Sequence, residues 1–546
     1  MKRILFILIA AISIISIVSC SKIEEPAITG SGNSDPVEEV KIDSISIWLP
    51  PYLPEELANF SDRQDGLAVY RDPGSSDLVL DVSDEALVSE WVYTLVAPFS
   101  TVEDTIPYAN LRSFWSSNLN SEIPFDKLLV DGSTKAIFEK LWGPASNENV
   151  FVLSSDDLLS AAWDQDKSWA LIPFENLEPQ WKVVALDGQS PLDKNFLLDR
   201  YPLNVPFSVI GAGGQVSKFQ AEFGRNSSFP LFPATNREAD KLTTVMVTGV
   251  TALVRATAFL MERNGMTYPA IDIGDTLRSA DILHISNEIP FTSNCPNPFS
   301  KKDDDANLVF CSKPEYIQLL EAIGTDVVEL TGDHFRDWGA EAMLNTIGMY
   351  EQRGWQYYGG GKDFPDGIKP ALFEHNGNKI AFLGCNAKPP GYATASETSP
   401  GAVHCDMALM AEKIREVISQ GYLPIFTFQH LEYYSYKINP HLVEDFHTAA
   451  DAGAVIVSGS QAHQPHAFEF YKVAMLHYGL GNLFFDQYDE SLEQREAFID
   501  QHIFYDGQYI GTELITIKFV DMARSRFMDP EERITLLENI FFASGW

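Results

Sequence analysis

The chain has 546 residues, of which 45% are hydrophobic and 21% are charged. A chain of this length exceeds one hydrophobic core, so we expect a globular protein of two or more domains and not a disordered one. Its formal net charge of −37 argues against nucleic acid as a partner, because a strongly acidic surface repels phosphate groups.

The N-terminus has the pattern of an export signal. Lys2 and Arg3 precede an apolar run that is too short for a stable membrane span. The four residues that end at Cys20, Ile-Val-Ser-Cys, resemble a bacterial lipobox, which implies that Cys20 is acylated; the alternative is an ordinary signal peptide that happens to end in Cys. Acyl chains hold a protein at a membrane. We therefore expect residues 1–20 to be a lipoprotein signal peptide and the mature protein to lie in the cell envelope, outside the cytoplasm, with a lipid anchor.

The next two segments differ in pattern. Residues 21–44 are acidic, contain Pro and Gly and show no period, which predicts a flexible linker. Residues 45–235 alternate short apolar segments with helical patterns, which predicts an α/β domain. Two stretches of this domain, WVYTLVAPFSTVEDTIPYANLRSFW and SWALIPFENLEPQWKVVALDGQSPL, resemble parts of a periplasmic solute-binding-protein lobe. The resemblance implies a solute-binding-like domain, in which we identify no set of ligand-binding residues.

Beyond residue 240, apolar strands, polar loops and amphipathic helices follow one another regularly. Strands that are apolar on both faces are typical of sheets covered on both sides. We expect this second α/β domain to span residues 240–520 and a C-terminal helical tail to span residues 521–546. The expected strands are TTVMVTGV, ADILHIS, DVVELTG, KIAFLGCN, LPIFTF, AVIVSGS and AMLHYGLGN, and the expected helices include PEYIQLLEAIG, AEAMLNTIGMYEQRG, MALMAEKIREVISQG and HLVEDFHTAADAG.

Polar residues follow the ends of five of these strands. Ligands of α/β sheets bind outside the carboxyl ends of the strands, so we expect the five loops to converge on one pocket. Carboxylate, amide and imidazole groups brought together in this way can bind a divalent metal, activate water and hold an anionic substrate. The residues concerned are Asn287, Glu288, Asp333, His334, His430, Glu432, Gln461, His463 and Asn482.

The segment AVIVSGSQAHQPHAFEF supplies one of these loops. Residues 454–458 are expected to form a central strand, and Gly459 begins a sharp turn where a side chain would block the crevice. His463 would then emerge at the floor of the pocket, while His466 would lie behind it or at the surface.

Four cysteines lie beyond Cys20. An even number is compatible with pairing in an oxidising compartment, and the short loops favour Cys295 with Cys311 and Cys385 with Cys405, although three pairings are possible. A zinc site is less expected, because no CxxC spacing is present.

The order of the motifs NEIP, LTGDHFRDWG, GWQYYGGG, ADAGAVIVSGSQAHQP and HYGLGNLFFDQ, after the strand VMVTGVTALVR, resembles the bacterial CapA family of poly-γ-glutamate capsule synthesis. The resemblance covers roughly residues 243–490. That family is similar to calcineurin-like metallophosphoesterases. The resemblance therefore implies a C-terminal four-layer αββα sandwich of the metallophosphoesterase type, so that the whole chain would be α/β with a solute-binding-like N-terminal domain.

The resemblance also implies roles for individual residues. His334 would act as an acid or as a phosphate contact, and Arg255 would bind the anionic group, which makes these two the expected catalytic residues. One divalent metal ion would be bound nearby, although its identity, and whether it is present at all, stay open. The expected metal ligands are Glu288, Asp333, His430 and His463, and the expected substrate contacts are Asn287, Gln461 and Asn482.

Three positions depart from the family pattern. Gly249 is followed by Val250 where the family has an aspartate, and Gln461 stands where the family has a histidine. His430 can serve as a ligand only if its loop shifts by two residues. Each departure removes a strong ligand, which favours one metal over two.

Two functions fit this sequence. The first is a lipid-tethered, metal-dependent phosphoesterase-like hydrolase that acts on an anionic envelope polymer such as poly-γ-glutamate, or on its precursor, during synthesis, export or anchoring. A membrane-embedded polymer synthase would be its partner. The second is a non-catalytic polymer-binding or scaffold protein with a degenerate metal site. A third interpretation, a solute receptor for a transporter, rests only on the N-terminal domain.

Overall fold

The computed structural model describes residues 44–58, 66–70, 72–74, 76–117, 123–299, 308–391 and 393–546. The predicted signal peptide, including Cys20, and the predicted linker up to residue 43 lie outside the described residues. Internal contacts divide the chain into residues 1–44 and a compact unit of residues 45–546. Among the described helices, none is long and apolar enough to cross a membrane.

The first half of the compact unit is here called the N-terminal region (residues 45–235), and its described residues form eleven strands and five helices. The strands are β1 Ile45–Trp48, β2 Leu67–Tyr70, β3 Leu78–Val82, β4 Leu87–Pro98, β5 Thr105–Ile106, β6 Lys127–Val130, β7 Val150–Val152, β8 Ser168–Pro173, β9 Trp181–Val183, β10 Ala185–Leu186 and β11 Asn204–Gly211. The helices are α1 Glu55–Ala58, α2 Tyr108–Trp115, α3 Gly132–Trp142, α4 Leu158–Asp164 and α5 Gly213–Phe223.

Nine of these strands form one mixed sheet. The strand order is β2-β1-β3-β11-β4-β8-β6-β7, and β9 pairs with the end of β4. The long strand β4 is buried along most of its length, because its sequence LVSEWVYTLVAP is apolar on both faces. Helix α3 begins at Asp131, whose carboxylate accepts a hydrogen bond from the Thr134 backbone N–H at 2.6 Å and so satisfies one free donor of the first turn.

The second half is here called the C-terminal region (residues 240–546), and the part of it that the structure describes has seventeen strands and eight helices. The strands are β12 Leu242–Thr248, β13 Val250–Thr251, β14 Ile282–Asn287, β15 Val327–Glu329, β16 Gln356–Tyr358, β17 Gly360–Gly361, β18 Ala371–His375, β19 Asn378–Asn386, β20 Gly401–Ala402, β21 Leu423–Gln429, β22 Ile456–Ser458, β23 Phe468–Tyr471, β24 Ala474–His477, β25 Asn482–Phe484, β26 Glu496–Tyr505, β27 Gln508–Phe519 and β28 Ser525–Phe527. The helices are α6 Arg255–Asn264, α7 Gly274–Arg278, α8 Ile317–Ala322, α9 Gly339–Glu351, α10 Phe364–Gly367, α11 Met407–Ser419, α12 Pro440–Asp451 and α13 Pro530–Ser544.

Two large sheets organise the C-terminal region. The first has the order β16-β15-β14-β12-β26-β27-β28, with β13 pairing with β14 and β25, and the second has the order β18-β19-β21-β22-β24-β23. In the first sheet β12, β14, β15 and β16 are parallel, as are β19, β21, β22 and β24 in the second. The carboxyl ends of consecutive parallel strands therefore lie at one edge of each sheet.

The alternation of side chains along the strands divides the apolar residues into separate layers. On β12, Val245 and Val247 belong to a buried cluster that also contains Ile380 of β19 and Ile425 of β21, so this cluster joins the two sheets. Met246 points the other way, into a cluster with helices α6 to α9. The second sheet packs its other face on helices α11 and α12 through a third cluster.

Most predicted elements are present, with one difference at the end of the chain. The segment TELITIKF forms the second half of β27, and the predicted C-terminal helix is α13. The expected helical tail of residues 521–546, however, also contains β28, which pairs with β27. A strand of three residues is too short to show a period in the sequence.

Both favoured cysteine pairs are present as disulfides. Cys295 bonds to Cys311 and Cys385 bonds to Cys405, with Cα atoms 5.7 and 5.1 Å apart respectively. The pairing predicted from loop length is therefore confirmed. The first disulfide joins two parts of the segment that follows β14, and the second joins the end of β19 to the segment after β20.

The N-terminal and C-terminal regions meet through an aromatic cluster. Phe99, which follows β4, packs against Phe468, Phe470, Phe541 and Trp546, with ring centroids 5.2 to 6.3 Å apart. Beside it the Arg533 guanidinium donates two hydrogen bonds to the Asp104 carboxylate, at 2.7 and 2.8 Å. Together these contacts give the two regions a shared interior.

Candidate metal and anion site

The strand-end site is defined here by six residues that follow strands of both C-terminal sheets. The first sheet contributes the residues after β14 and β15, and the second contributes those after β19, β21 and β22. In each case the polar residue stands one to five positions beyond the strand, where the parallel strands end at a common edge. The six residues are Glu288, Asp333, His334, Lys388, Glu432 and His463.

Three of the predicted site residues form its centre. Glu288, Asp333 and His334 each offer a ligand atom within 4.8 Å of the others. Glu288 is buried, whereas Asp333 and His334 are partly accessible. The sequence-based expectation that these loops converge therefore holds for these three residues.

His334 is oriented by a carboxylate behind it. Its Nδ1 lies 2.8 Å from Asp337 Oδ2, which also accepts the Phe310 backbone N–H at 2.7 Å. This contact leaves the other ring nitrogen of His334 for the site, an arrangement by which proteins orient imidazole ligands. Burial opposes the charged ring, but the Asp337 hydrogen bond and the nearby Glu288 carboxylate raise the pKa of His334 to about 9.

Lys388 is a site residue that sequence reasoning missed. Its ammonium donates to Asp333 Oδ2 at 3.0 Å and to Glu432 Oε1 at 2.7 Å, so it bridges two carboxylates that come from different strands. Burial disfavours its charge, but Asp333 and Glu432 outweigh burial and raise the pKa of Lys388. Its position two residues after β19 fits the strand-end pattern, but an ammonium group is not among the acids, amides and imidazoles that can bind a metal.

The carboxylates of the site differ in their electrostatics. Burial raises the pKa of Glu288, although His463 and His334 oppose the shift. Burial also disfavours the charge of Glu432, but His463 and Lys388 lower the pKa of Glu432 to about 2. The site thus places a buried, weakly acidic carboxyl beside one that stays ionised.

His463 lies at this site as predicted and is held by Asn482. His463 Nδ1 lies 2.9 Å from Asn482 Oδ1, and Asn482 Nδ2 donates to the His463 carbonyl oxygen at 3.0 Å. Nε2 of His463 is 4.0 Å from Glu432 Oε1. Asn482 is fully buried and holds the His463 ring, and its role as a substrate contact stays a prediction.

The turn before His463 depends on a glycine. A Cβ atom at Gly459 would lie 2.1 Å from the Tyr478 carbonyl oxygen, so any side chain would force the backbones apart. The preceding strand, β22, runs between β21 and β24 and is central, as expected. His466 is buried and not at the surface, and its ring contacts the carbonyl oxygens of Tyr433 and Tyr478.

Two other predicted residues have partners of their own. Nε2 of His430 lies 3.1 Å from Asp445 Oδ2, and Nδ1 of His430 accepts a hydrogen bond from the Leu431 backbone N–H at 2.9 Å. It does not belong to the Glu288, Asp333 and His334 group. His430 could bind a metal ion only after leaving these partners, so its role as a metal ligand stays a prediction.

Arg255 is held in a comparable way. Its Nε donates to the Asp486 carboxylate at 2.9 and 3.1 Å, and the Ala256 N–H donates to the same group at 3.0 Å. The guanidinium lies 5.0 Å from the ring centroids of both Phe310 and Phe485. These contacts fix the start of α6, so binding of an anion by Arg255 also stays a prediction.

Asn287 and Gln461, the remaining predicted substrate contacts, are buried beside the site. Asn287 Nδ2 donates to the Ile289 carbonyl oxygen at 2.7 Å and to the Tyr350 hydroxyl at 2.8 Å. Gln461 donates to the Ser286 hydroxyl. The side-chain oxygens of both residues have no hydrogen-bond partner among the described residues. Each therefore keeps an acceptor that water or a ligand could satisfy.

The donor set fits a divalent ion. Two carboxylates and an imidazole are ligands that hard or borderline divalent metals accept, and His334 has the supporting carboxylate that such ligands usually have. Asp333 is already engaged by Lys388 on one oxygen and by Gln429 Nε2, at 3.1 Å, on the other. A metal at this place would thus compete with the Lys388 ammonium.

The part of the chain that contains this site is similar in sequence to known proteins. Residues 244–487 match the family described as bacterial capsule synthesis protein PGA_cap. The chain is 26% identical over 260 residues to the capsule biosynthesis protein CapA of Bacillus anthracis, an alignment that covers 47% of this chain and 62% of that protein. It is 25% identical over 188 residues to the PGA biosynthesis protein CapA of Bacillus subtilis, covering 34% of this chain and 49% of the other. The chain thus spans between about half and three-fifths of these relatives.

Solved structures show weaker likeness. An ABC-type phosphate transport receptor from Vibrio cholerae aligns with a TM-score of 0.27 and 11% identity, covering 32% of this chain and 91% of the receptor. TT1561 of Thermus thermophilus aligns with a TM-score of 0.27 and 11% identity, covering 47% of this chain and 93% of the other. Scores this low do not establish a shared fold.

Proposed function

Because residues 244–487 match the family described as bacterial capsule synthesis protein PGA_cap, we propose that the chain takes part in the synthesis, export or anchoring of an anionic capsule polymer such as poly-γ-glutamate. The observation that carries this proposal is the meeting of Glu288, Asp333 and His334 at the strand ends, within reach of one another. Bringing these charged groups together costs desolvation free energy, which supports a functional role for the site.

The proposal includes a fold and a location. The order of helices, first sheet, second sheet and helices supports a four-layer sandwich of the metallophosphoesterase type for residues 240–520. The solute-binding-like character of residues 45–235 belongs to the same proposal. The protein would lie in the cell envelope with Cys20 as its lipid anchor, and a membrane-embedded polymer synthase would be its partner.

The chemistry proposed is hydrolysis that depends on one divalent ion. When bound to Glu288, Asp333 and His334, such an ion supplies Lewis acidity and an activated water. His463, oriented through Asn482, would contact the reacting group, and Lys388 would balance the charge of Asp333 and Glu432. If Glu288 and Asp333 hold the ion without His334, then His334, whose pKa is raised, would instead hold a proton near the leaving group.

A second candidate function is polymer binding without turnover. The observation that favours it is the Lys388 bridge, because an internal cation already neutralises the carboxylates that would bind metal. Val250 and Gln461, where the family has an aspartate and a histidine, favour it as well.

The two functions are separated by elemental analysis combined with phosphomonoester and phosphodiester assays of the purified protein. The hydrolase predicts about one equivalent of metal with turnover, and loss of turnover by more than about a hundredfold in His334→Ala and His463→Ala. The scaffold predicts neither metal nor turnover, with weaker binding of poly-γ-glutamate in the same variants. His441→Ala, an exposed histidine on α12, is the matched control.

If both variants bind polymer and complement a deletion strain as well as the parent does, the strand-end site has neither role. The proposal would then be abandoned.

A further inference from the structure

A second cavity lies in the N-terminal region, apart from the strand-end site. It has a volume of about 1090 Å³, and its lining residues all fall between Leu49 and Asn176. Its walls come from the loop after β1, helix α1, the start of α3 and the segments after β7 and β8. A cavity of this size can enclose a small organic molecule.

The charge of this cavity is of one sign. Five carboxyl side chains line it, and none of its lining residues in the described part of the chain is Lys, Arg or His. Such a lining attracts cations and repels anions, because a concave surface of one sign concentrates its field. The five residues are Glu55, Glu56, Asp131, Asp156 and Glu175.

The deepest of these carboxylates has neutral partners only. Glu175 accepts hydrogen bonds from Trp91 Nε1, at 2.8 Å, and from the Asn236 amide. Neither partner carries a positive charge, and burial raises the pKa of Glu175 to about 7. A ligand cation in the cavity would supply the missing charge.

One hydroxyl group at the cavity also lacks a partner. Thr134 lines the cavity from the first turn of α3, is fully buried, and its Oγ1 has no hydrogen-bond partner among the described residues. Unsatisfied buried hydroxyls are rare in proteins, so Thr134 points to a ligand. Tyr93 also lines the cavity and is nearly fully buried, and its hydroxyl lies in the field of Glu175 and Asp131.

The spacing of the carboxylates selects among cations. A bare metal ion needs several ligand atoms close together, and the only described group of three or more that meets this condition is Glu288, Asp333 and His334, in the other region. The lining also includes apolar side chains, among them Leu49, Leu53, Val69 and four prolines. Carboxylates set among apolar surface match a chain of methylene groups that carries ammonium groups.

We propose that this N-terminal cavity binds an organic polyamine, with an ammonium group at Glu175, Tyr93 and Thr134 and its methylene chain along the apolar wall. The site is independent of the proposed capsule function, because it shares no residue with the strand-end site. Both hydroxyls would accept hydrogen bonds from ammonium N–H groups. The aromatic face of Tyr93 would also favour a cation.

Calorimetric titration of the purified protein with spermidine and with 1,4-diaminobutane tests the proposal. We expect saturable binding of one spermidine molecule, weakened at least tenfold in Glu175→Gln and weakened measurably in Tyr93→Phe and Glu56→Gln. Glu56→Gln alters a side chain on the four-residue helix α1 and leaves the hydrogen bonds of Glu175 intact, so it stays informative if Glu175→Gln fails to fold.

Glu148→Gln is the matched control, because Glu148 is exposed and does not line the cavity. The acidic chain attracts polyamines in a general way, so equal weakening in Glu148→Gln and in the cavity variants would overturn the proposal. Absence of saturable binding, or binding of calcium, inorganic phosphate or glutamate in place of the amines, would overturn it as well. Activity at the strand-end site is expected to be unchanged in all four variants.

Discussion

At the scale of single residues, Lys388 determines the charge of the strand-end site. Its ammonium lies between the carboxylates of Asp333 and Glu432 and balances their negative charge. Without this lysine, another cation would have to do so. Because Glu288 is also nearby, three carboxylates depend on this lysine and on two histidines for compensation. We therefore expect Lys388 to limit the binding of a metal ion at this site.

Replacing Lys388 with Met is therefore expected to strengthen metal binding. The variant removes the cation that competes for Asp333 Oδ2, and we expect the affinity for a divalent ion such as Mn²⁺ to rise about tenfold, which corresponds to roughly 1.4 kcal/mol. Metal titration followed by calorimetry measures the change. Lys369→Met, which removes an exposed lysine paired only with Asp366, is the control. Unchanged or weaker affinity in Lys388→Met would show that the lysine helps to assemble the site and does not compete for it.

At the scale of the elements, strand β26 carries an ionisable group into the interior. His502 is fully buried; its Nδ1 lies 2.7 Å from the Thr512 hydroxyl, and its Nε2 has no partner among the described residues. Burial lowers the pKa of His502 from 6.5 to about 4. The unfolded chain thus binds more protons than the folded chain between these two values, and the free energy of unfolding falls as the pH is lowered through this range.

His502→Gln is expected to reduce this loss of stability, because glutamine stays neutral. The lowered pKa of His502 corresponds to about 3 kcal/mol in the free energy of unfolding, and most of this stability is lost once the pH has fallen to 4. Denaturant unfolding of parent and variant at pH 7 and pH 4.5 measures the effect as a difference between the two proteins, so the other buried groups cancel. His441→Gln is the exposed control. Equal pH dependence in parent and His502→Gln would mean that the histidine is already charged in the folded protein.

The elements also show what the sequence could and could not predict. Strands such as β19 and β21 were evident, because KIAFLGCN and LPIFTF are apolar on both faces between polar loops. Their assignment to one sheet, while β12 and β14 belong to another, was not evident from the pattern alone, because apolar runs do not encode their neighbours. The strand-end rule located Glu288, Asp333, His334 and His463, whereas the partners of His430 and Arg255 come from α12 and from the segment after β25, which only the fold brings close.

At the scale of the whole molecule, helix α13 joins the two regions. Phe541 is 5% exposed and faces the aromatic cluster around Phe99, whereas its neighbour Phe542 is 78% exposed. Arg533 on the same helix pairs with Asp104 of the N-terminal region. The N-terminal and C-terminal regions are therefore expected to unfold together, in one transition.

Phe541→Ala tests this coupling. Loss of a buried phenylalanine costs about 3–5 kcal/mol, and we expect the two regions then to unfold at different denaturant concentrations. Phe542→Ala changes the same helix in the same way at an exposed position and should stay within about 0.5 kcal/mol of the parent. Tryptophan fluorescence together with far-ultraviolet circular dichroism follows both transitions. A loss of stability in Phe541→Ala no larger than that in Phe542→Ala would contradict the packing described above.

The central strand pair of the first C-terminal sheet has a kinetic consequence. Strand β12 pairs along its whole length with β26, from Leu242 with Tyr505 to Thr248 with Ile499. During synthesis β12 therefore emerges roughly 250 residues before its partner. Closing so long a loop costs conformational entropy before the contacts between the two strands can form. Chains dominated by such distant pairings fold slowly. The free edge of β12 is open to other chains during that interval, so the nascent protein should depend on chaperones until β26 has been made.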